Sequence, residues 1–361
     1  MHDPWTIDPA DWPADAAMRG RLAFALGYAV LAPSSHNTQP WLFRLVEDGE
    51  RFGAAGAALE VLADRTRALP VVDPLDRELT ISCGAAIGVL EIALRRFGHA
   101  AAVIDLTGGD LTGGADPDLL ARVVPGAEVV PVAGDIALAD AIAARRTTRS
   151  AFPPDPVPEA VLKRCRGAAY TLGVELVSLG PPGDPTAEPA RRRIADLVAE
   201  ADRLQFADPR FRRELALWIH SRRAGSHDGL SGASFGMPDL LSPVGALVVR
   251  TFDMGEGVAA GDAEKIAHGS PCLAVLATAG DTPSDWLATG RALVRALLIL
   301  TAEGYTASYL NQPIEVEQLG PRLREAAGVA GYPQILLRVG KAPATPPAPT
   351  PRRPVEAVMA G

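Results

Sequence analysis

A run of small polar residues between two prolines lies near the start of the chain, at residues 32–41. It reads Ala-Pro-Ser-Ser-His-Asn-Thr-Gln-Pro-Trp and joins a helical pattern (18–31) to a strand pattern (41–46). Because proline fixes φ and lacks a backbone donor, the segment cannot continue the helix. Its hydroxyls and amides donate and accept with almost no charge, which suits a flat, neutral ligand rich in heteroatoms. The alternative is a structural turn, since these residue types dominate turns.

A basic segment, Arg145-Arg146-Thr147-Thr148-Arg149, offers a second kind of chemistry. Two guanidinium groups and a hydroxyl at two-residue spacing provide the donors that a dianionic phosphate needs. The alternative is a solvated basic turn after a predicted helix at 136–144, where cations favour the helix dipole. A second basic pair, Arg352-Arg353, lies in the Pro-rich tail, where a frayed end is the alternative reading.

The string Pro-Ser-Ser-x-Asn-x-Gln-Pro-Trp at 33–41 resembles the flavin-contacting loop of the nitroreductase family of FMN enzymes. The resemblance implies that the loop contacts FMN through five residues: Pro33, Ser34, Ser35, Asn37 and Gln39. The family's basic Arg-x-Ser-x-Arg motif corresponds to Arg145, Thr147 and Arg149, with threonine supplying the hydroxyl. The tail also resembles the family's C-terminal phosphate-contacting motif. Because the register of the resemblance is ambiguous, it implies Arg352 or Arg353 as the phosphate contact.

The family also places a backbone N–H beside the flavin N5, commonly from a glycine after the long helix and its strand. The corresponding segment here implies Asn311 and Gln312 as cofactor contacts. Glutamine in place of glycine keeps the backbone donor, and its larger side chain is expected to narrow access for hydride. No side chain is predicted to act as a catalytic acid or base, because the flavin would carry the chemistry.

Two parts of the chain share one order of predicted elements, a helix, a glycine cap and a strand. Residues 81–104 align without gaps on residues 287–310, an interval of 206, with Gly84 on Gly290 and Gly98 on Gly304. Since the polar loop occurs only in the first half and the arginine motif comes late, we predict a fused pseudo-dimer with one complete site. This arrangement resembles the Acg-type branch of actinobacterial nitroreductase-like proteins. A duplicated two-fold interface needs no partner subunit, so a monomer is expected.

The predicted domains are residues 1–140, which carry the loop, and residues 141–361, which carry the arginines and a C-terminal arm. A Gly/Ser-rich stretch within 224–243 is a candidate lid, because structureless segments of this length often cover a site. The predicted fold class is α+β and nitroreductase-like. The sheet order follows from the resemblance rather than from the pattern of elements.

Composition limits which partners, metal or disulfide sites and compartments are expected. Hydrophobic residues make up 48% and charged residues 22%, with a formal charge of -8, which disfavours nucleic-acid binding. Three isolated cysteines indicate neither a metal site nor a disulfide framework. Without a signal-peptide pattern or a membrane-spanning apolar run, we expect a soluble, cytoplasmic protein.

The resemblance implies an FMN-dependent oxidoreductase in which NAD(P)H is the reductant and a nitroaromatic or quinone is the small-molecule acceptor. A rival interpretation is an FMN-binding or sequestering protein with a covered flavin and little turnover. A third is a specialised flavin transformation or dehalogenation within the same fold. The sequence alone leaves these three open.

Overall fold

The computed structural model describes residues 3–47, 56–108, 116–221, 225–232 and 241–360. Helices and strands alternate along much of the chain. The strands are β1 Trp41–Glu47, β2 Ala57–Ala63, β3 His99–Asp105, β4 Leu119–Glu128, β5 Val174–Leu179, β6 Cys272–Thr278, β7 Tyr305–Tyr309 and β8 Tyr332–Lys341. The helices are α1 Met18–Ala29, α2 Arg77–Arg96, α3 Ala133–Ala144, α4 Glu159–Tyr170, α5 Glu188–Ala207, α6 Pro209–Leu217, α7 Ser242–Thr251, α8 Gly255–Ala267, α9 Pro283–Ala302, α10 Gln312–Glu315 and α11 Gly320–Ala327.

The described strands form two four-stranded antiparallel sheets with equivalent orders. The first runs β1-β2-β4-β3 and the second runs β5-β6-β8-β7. Each sheet has one inner strand, β2 or β6, that is buried along its whole length. Apart from Glu60 in β2 and Thr278 at the end of β6, those strands are apolar, because both of their faces are covered.

Helices α2 and α9 cross at the centre of the molecule. Both contain 20 residues, and each is followed by a glycine with positive φ (Gly98 at 83° and Gly304 at 78°) and then a strand. Gly84 and Gly290 lie at the crossing, where a Cβ on either would clash with backbone of the other helix. Glycine at these two positions lets the helix backbones approach closely. Helix α2 is buried on nearly all sides, as expected of a central helix.

The halves differ between their first two strands. In the second sheet, α5 to α8 are inserted between β5 and β6. The sequence predicts a helical interruption at Asp208-Pro209, and the structure confirms it: Asp208 ends α5 and caps α6 by accepting from the Arg210 N–H at 2.8 Å. Apolar residues of the insertion, including Phe211 and Leu215, pack against Leu69 and Val72 of the first half.

Each half also extends a segment onto the other sheet. The chain after α3 meets β7 through a parallel bridge between Thr147 and Ala307. The chain after β8 returns to β1, where Met359 bridges Phe43 and the Ala360 N–H donates to the Phe43 carbonyl at 2.8 Å. These exchanges bring residues far apart in sequence to the polar loop. Within the described ranges, no helix is long and apolar enough to cross a membrane.

Candidate functional site

The polar loop has an unusual backbone. His36, Asn37 and Gln39 all have positive φ, at 48°, 57° and 52°. The turn is held by the Gln39 N–H, which donates to the Ser34 hydroxyl at 2.9 Å, and by the Asn37 N–H, which donates to the Ser34 carbonyl at 3.1 Å. Non-glycine residues in this region cost free energy and cluster at ligand sites. The loop therefore has a defined backbone conformation that its own hydrogen bonds stabilise, as loops at ligand sites often do.

The C-terminal arm lies against this loop. The Arg352 guanidinium donates to Asn37 Oδ1 at 2.7 Å, and the Asn37 amide donates to the Pro351 carbonyl at 3.1 Å. One residue later, the Arg353 N–H donates to Gln39 Oε1 at 2.8 Å. Two predicted cofactor contacts of the loop are thus tied to the two arginines of the arm.

The arginines of the arm have different surroundings. Arg353 reaches Asp64 at 3.2 Å and the Gln39 carbonyl at 3.1 Å, so its charge is matched by a carboxylate. Arg352 contacts carbonyls and the face of Trp5, and burial together with nearby Arg145 holds its pKa well below the ordinary arginine value. Of the two, Arg352 belongs to the same basic cluster as Arg145.

The arginine motif completes that cluster. Arg145 is buried and donates weakly to the Leu31 carbonyl at 3.4 Å. Thr147 lies beside β7, and the neighbouring Thr148 N–H donates to the Ala307 carbonyl at 3.1 Å. Arg149 keeps solvent-accessible surface, although desolvation by the surrounding protein lowers its pKa. Arg149 is therefore accessible to a ligand from solvent.

The cluster carries unmatched positive charge. Among the described residues, Arg145, Arg149 and Arg352 form no ion pair with a carboxylate, and burial lowers the pKa of all three. Nearby, the Tyr309 hydroxyl and His36 Nδ1 are buried without a hydrogen-bond partner in the described part of the chain. Buried charges are normally paired, so this arrangement fits a bound dianion and further polar ligand atoms. A phosphate group fits these donors.

Glu78 joins the loop to the opposite half. It is buried at the start of α2, where its carboxylate accepts from the Ser35 hydroxyl and from the Asn311 amide, the latter at 3.1 Å. Arg77 lies 3.3 Å away. The helix N-terminus also favours a negative charge here. Sequence reasoning missed Glu78 because an acidic residue in the first turn of a helix normally indicates only capping.

Asn311 and Gln312 follow β7, as expected, but their side chains turn to different partners. The Asn311 amide nitrogen donates to Glu78, and its Oδ1 accepts from the Leu336 N–H at 3.1 Å. The Gln312 amide donates instead to Asp202 and Asp262, each at 3.1 Å. Carboxylates of α5 and α8 therefore fix the direction of this side chain, and the expectation that it narrows access for hydride stays a prediction.

Part of the candidate lid, residues 225–232, packs on the polar loop; residues 233–240 and residue 224 lie outside the described residues. The Asn37 amide donates to the Gly229 carbonyl and the Gln39 amide to the His227 carbonyl, at 3.1 and 2.8 Å. Arg67 forms an ion pair with Asp228 and also donates to the Thr38 carbonyl. The segment is held to the loop from two sides.

The remaining predicted contacts lie in the same place. Pro33 is buried, and Ser34 and Ser35 are partly exposed on the loop. The structure thus brings together the loop, the arginine motif, the Asn311 segment and the arm, although they span residues 33 to 353. Two predicted contacts lie apart from the basic cluster. Arg353 forms an ion pair with Asp64, and the Gln312 side chain donates to Asp202 instead.

Sequence comparison decides the family. A protein of Mycobacterium tuberculosis, Rv3131, provisionally named an NAD(P)H nitroreductase, is 33% identical over 339 residues, covering 92% of this chain and 89% of the relative. The chain belongs to the nitroreductase family. Two further relatives with nitroreductase names are Acg of M. tuberculosis, 28% identical over 93% of this chain and 94% of its own, and PigM of Serratia, 25% identical over 91% and 90%.

The fold is that of a nitroreductase, and the chain matches a solved structure along nearly its whole length. The crystal structure of a protein from Anabaena variabilis, titled as a nitroreductase, covers 94% of this chain and 97% of its own, with a TM-score of 0.50 and 11% identity. No protein-family model matches the chain. The nitroreductase-like fold predicted from the polar loop is confirmed.

Proposed function

We propose that this nitroreductase-family chain binds one FMN in the cleft between its two halves and uses NAD(P)H to reduce nitroaromatic or quinone-type acceptors. The observation that carries the proposal is the basic cluster of Arg145, Arg149 and Arg352, which lacks a carboxylate partner among the described residues. It lies beside a loop of neutral donors and acceptors. A dianionic phosphate joined to a neutral, heteroatom-rich ring matches both parts.

The chain's own residues would bind and orient the cofactor. Arg145, Arg149 and Arg352 would hold the phosphate together with the Thr147 hydroxyl, while Ser34, Ser35 and Asn37 would contact the ring system. Glu78 fixes the spacing between the loop and the Asn311 segment, because it accepts from a residue of each. When bound, FMN supplies the two-electron chemistry, and the protein supplies orientation and electrostatics.

We also propose that the molecule is a fused pseudo-dimer with one site and acts as a monomer. Two equivalent sheets and the crossing of α2 and α9 support this proposal. The first half has residues 30–40 between α1 and β1, including the polar loop. The second half has only residues 171–173 between α4 and β5. A second site related by the pseudo-two-fold would therefore lack its ring-contacting loop.

A second candidate function is FMN binding with little turnover. It is favoured by the contacts of residues 225–232 with Asn37 and Gln39, because these put the segment directly on the loop proposed to contact the ring. Hydride transfer requires the nicotinamide and flavin atoms to approach within about 3–3.5 Å. A segment that stays closed over the ring would prevent that approach.

Two measurements test these proposals. The purified chain should be yellow, sediment as a monomer and release one equivalent of FMN on denaturation; a colourless protein that does not bind added FMN would contradict FMN binding. Anaerobic stopped-flow of the loaded protein then separates the two functions. Rapid reduction by NADH or NADPH supports the oxidoreductase, whereas reduction by dithionite alone supports sequestration.

A further inference from the structure

A buried polar cluster lies behind the segment that follows β7. The Gln312 amide nitrogen donates to Asp202 Oδ1 and to Asp262 Oδ2, each at 3.1 Å. Asp202 is 1% exposed and Asp262 is 9% exposed. These contacts use both N–H groups of the amide, so Gln312 has no donor left. Helices α5 and α8 thus fix the orientation of the Gln312 side chain.

Two acceptor atoms of this cluster are unsatisfied. Asp202 Oδ2 and Gln312 Oε1 are both buried and have no hydrogen-bond partner among the described residues. While Asp202 is ionised, both atoms can only accept, so neither can satisfy the other. A single proton on Asp202 Oδ2 turns that atom into a donor. The acid and the amide, already joined through Oδ1 and Nε2, can then form a second hydrogen bond through Oδ2 and Oε1.

The surrounding charges favour this proton. Asp262 is held at 2.7 Å from Lys265, which keeps a negative charge beside Asp202. Burial and, second, the charge of Asp262 raise the pKa of Asp202 to about 7, against opposing contributions from Gln312, Lys265 and Arg203.

The other charged groups around this cluster have partners of their own. Glu315 on α10 accepts from the Gln205 amide at 2.6 Å. Arg338 on β8 donates to the Ser150 carbonyl and interacts electrostatically with Asp262. Glu200 on α5 pairs with Arg322 of α11 at 2.8 Å. Among the described residues, no cation contacts the free Oδ2 of Asp202.

We propose that Asp202 is a positioning residue that carries a proton between its Oδ2 and Gln312 Oε1, and that loss of this proton releases Gln312. The proton itself follows from the contacts above. Its consequence for catalysis rests on the proposed function and on the family resemblance, which implies that the backbone of residues 311–312 faces the reactive edge of the flavin. On deprotonation neither of the two buried acceptors has a donor, so the amide turns and the segment loses its anchor to α5.

The first test uses the full-length chain without FMN. Asparagine at 202 mimics the protonated acid, because its amide nitrogen donates where the Oδ2 proton would. Folding raises the pKa of this aspartate. At pH values between the unfolded pKa of about 4 and the folded pKa, the folded state therefore binds one proton more than the unfolded state. Wild-type stability relative to Asp202→Asn should therefore fall as pH rises through this window and level off above pH ~7.

The effect is measured by urea unfolding at several pH values. Within the window, each pH unit should multiply the unfolding constant of wild type relative to Asp202→Asn by up to about ten. Asp196→Asn is the matched control, because Asp196 is exposed on the same helix and should leave the pH dependence of wild type unchanged. Parallel curves for wild type and Asp202→Asn would overturn the proposal. So would stabilisation of wild type by added Ca²⁺ or Mg²⁺, which would place a cation between the acceptors.

A second test needs no variant to fold well. The chain has five glutamines, so selective ¹⁵N labelling gives few side-chain amide signals in wild-type protein. The Gln312 signal should shift with a midpoint near pH 7, and a signal without a midpoint would contradict the proposal. In FMN-loaded protein, the flavin reduction rate should follow the same midpoint in wild type and lose it in Asp202→Asn. A protein that binds no FMN would overturn the proposed function. The tests on the apo-protein would still decide whether Asp202 carries the proton.

Discussion

Gly84 and Gly290 make the same contact from opposite sides of one helix crossing. A Cβ on Gly84 would lie 2.3 Å from the Leu287 carbonyl oxygen, and a Cβ on Gly290 would lie 2.0 Å from the Ile81 carbonyl oxygen. Gly84 and Gly290 are 206 residues apart, as are Ile81 and Leu287. When residue pairs exchange roles in this way, the contact has the form of a two-fold symmetric interface.

Alanine at either glycine should therefore destabilise the protein strongly. The clash involves backbone oxygen, which cannot be relieved by a side-chain rotation, so the two helices must separate. We expect a loss of about 1–3 kcal/mol or more from Gly84→Ala and from Gly290→Ala in urea unfolding. Gly167→Ala is the control, since nothing lies within 4 Å of a Cβ there and α4 should gain stability. Equal effects at all three positions would exclude close packing as the reason for glycine.

The arginine cluster should discriminate between flavins that differ only in the phosphate. Arg149→Ala removes one charge-assisted donor, so the affinity for FMN should fall by about 1.5–3 kcal/mol while that for riboflavin changes little. Fluorescence titration with both ligands measures the two effects separately. Arg193→Ala removes an exposed arginine of α5 and controls for net charge. Similar losses of affinity for FMN and riboflavin would show that Arg149 does not contact the phosphate.

The central repeat was the part of the fold most readily predicted from sequence. The sequence pattern predicts a helix at about 79–97 with Gly98 as its cap, and the structure has α2 at Arg77–Arg96 followed by Gly98 in the left-handed region. Apolar periodicity and a C-terminal glycine are local signals, so they specify this element without tertiary information. The sheet order was not predictable in this way, because strand pairing depends on contacts between distant segments.

The site shows the same division between local and long-range information. The loop and the arginine motif were found as local strings, whereas the choice of Arg352 over Arg353 for the cluster depends on Asp64, which is 289 residues from Arg353. Glu78 was missed because an acidic residue in the first turn of a helix usually indicates capping, and Asp202 was missed because a charged residue on a helix is usually solvated. Only the packing shows that both are buried.

Glu78 should couple cofactor binding to the docking of the two halves. Glu78→Gln keeps one acceptor but introduces an amide donor and removes the charge, so the Ser35 hydroxyl or the Asn311 amide loses its partner. Leaving a buried donor unpaired costs about 1–3 kcal/mol, and the loss should appear in both urea unfolding and FMN affinity. Glu317→Gln, an exposed position near the end of α10, should change neither quantity. An unchanged FMN affinity in Glu78→Gln would restrict Glu78 to a structural role.

The contact between Arg67 and Asp228 should control how often the cleft opens. Arg67 pairs with Asp228 of the segment 225–232 and donates to the Thr38 carbonyl of the loop, so Arg67→Ala removes both connections. Since one charge-assisted hydrogen bond contributes about 1.5 kcal/mol or more, the open state should become roughly tenfold more populated. If opening precedes hydride transfer, stopped-flow reduction by NAD(P)H should accelerate by a similar factor, while reduction by dithionite changes little. Arg65→Ala removes an arginine of the same short turn, whose partners Asp76 and Asp118 lie away from the loop, and should leave both rates unchanged. Equal NAD(P)H rates in wild type and Arg67→Ala would show that this segment does not limit access to the flavin.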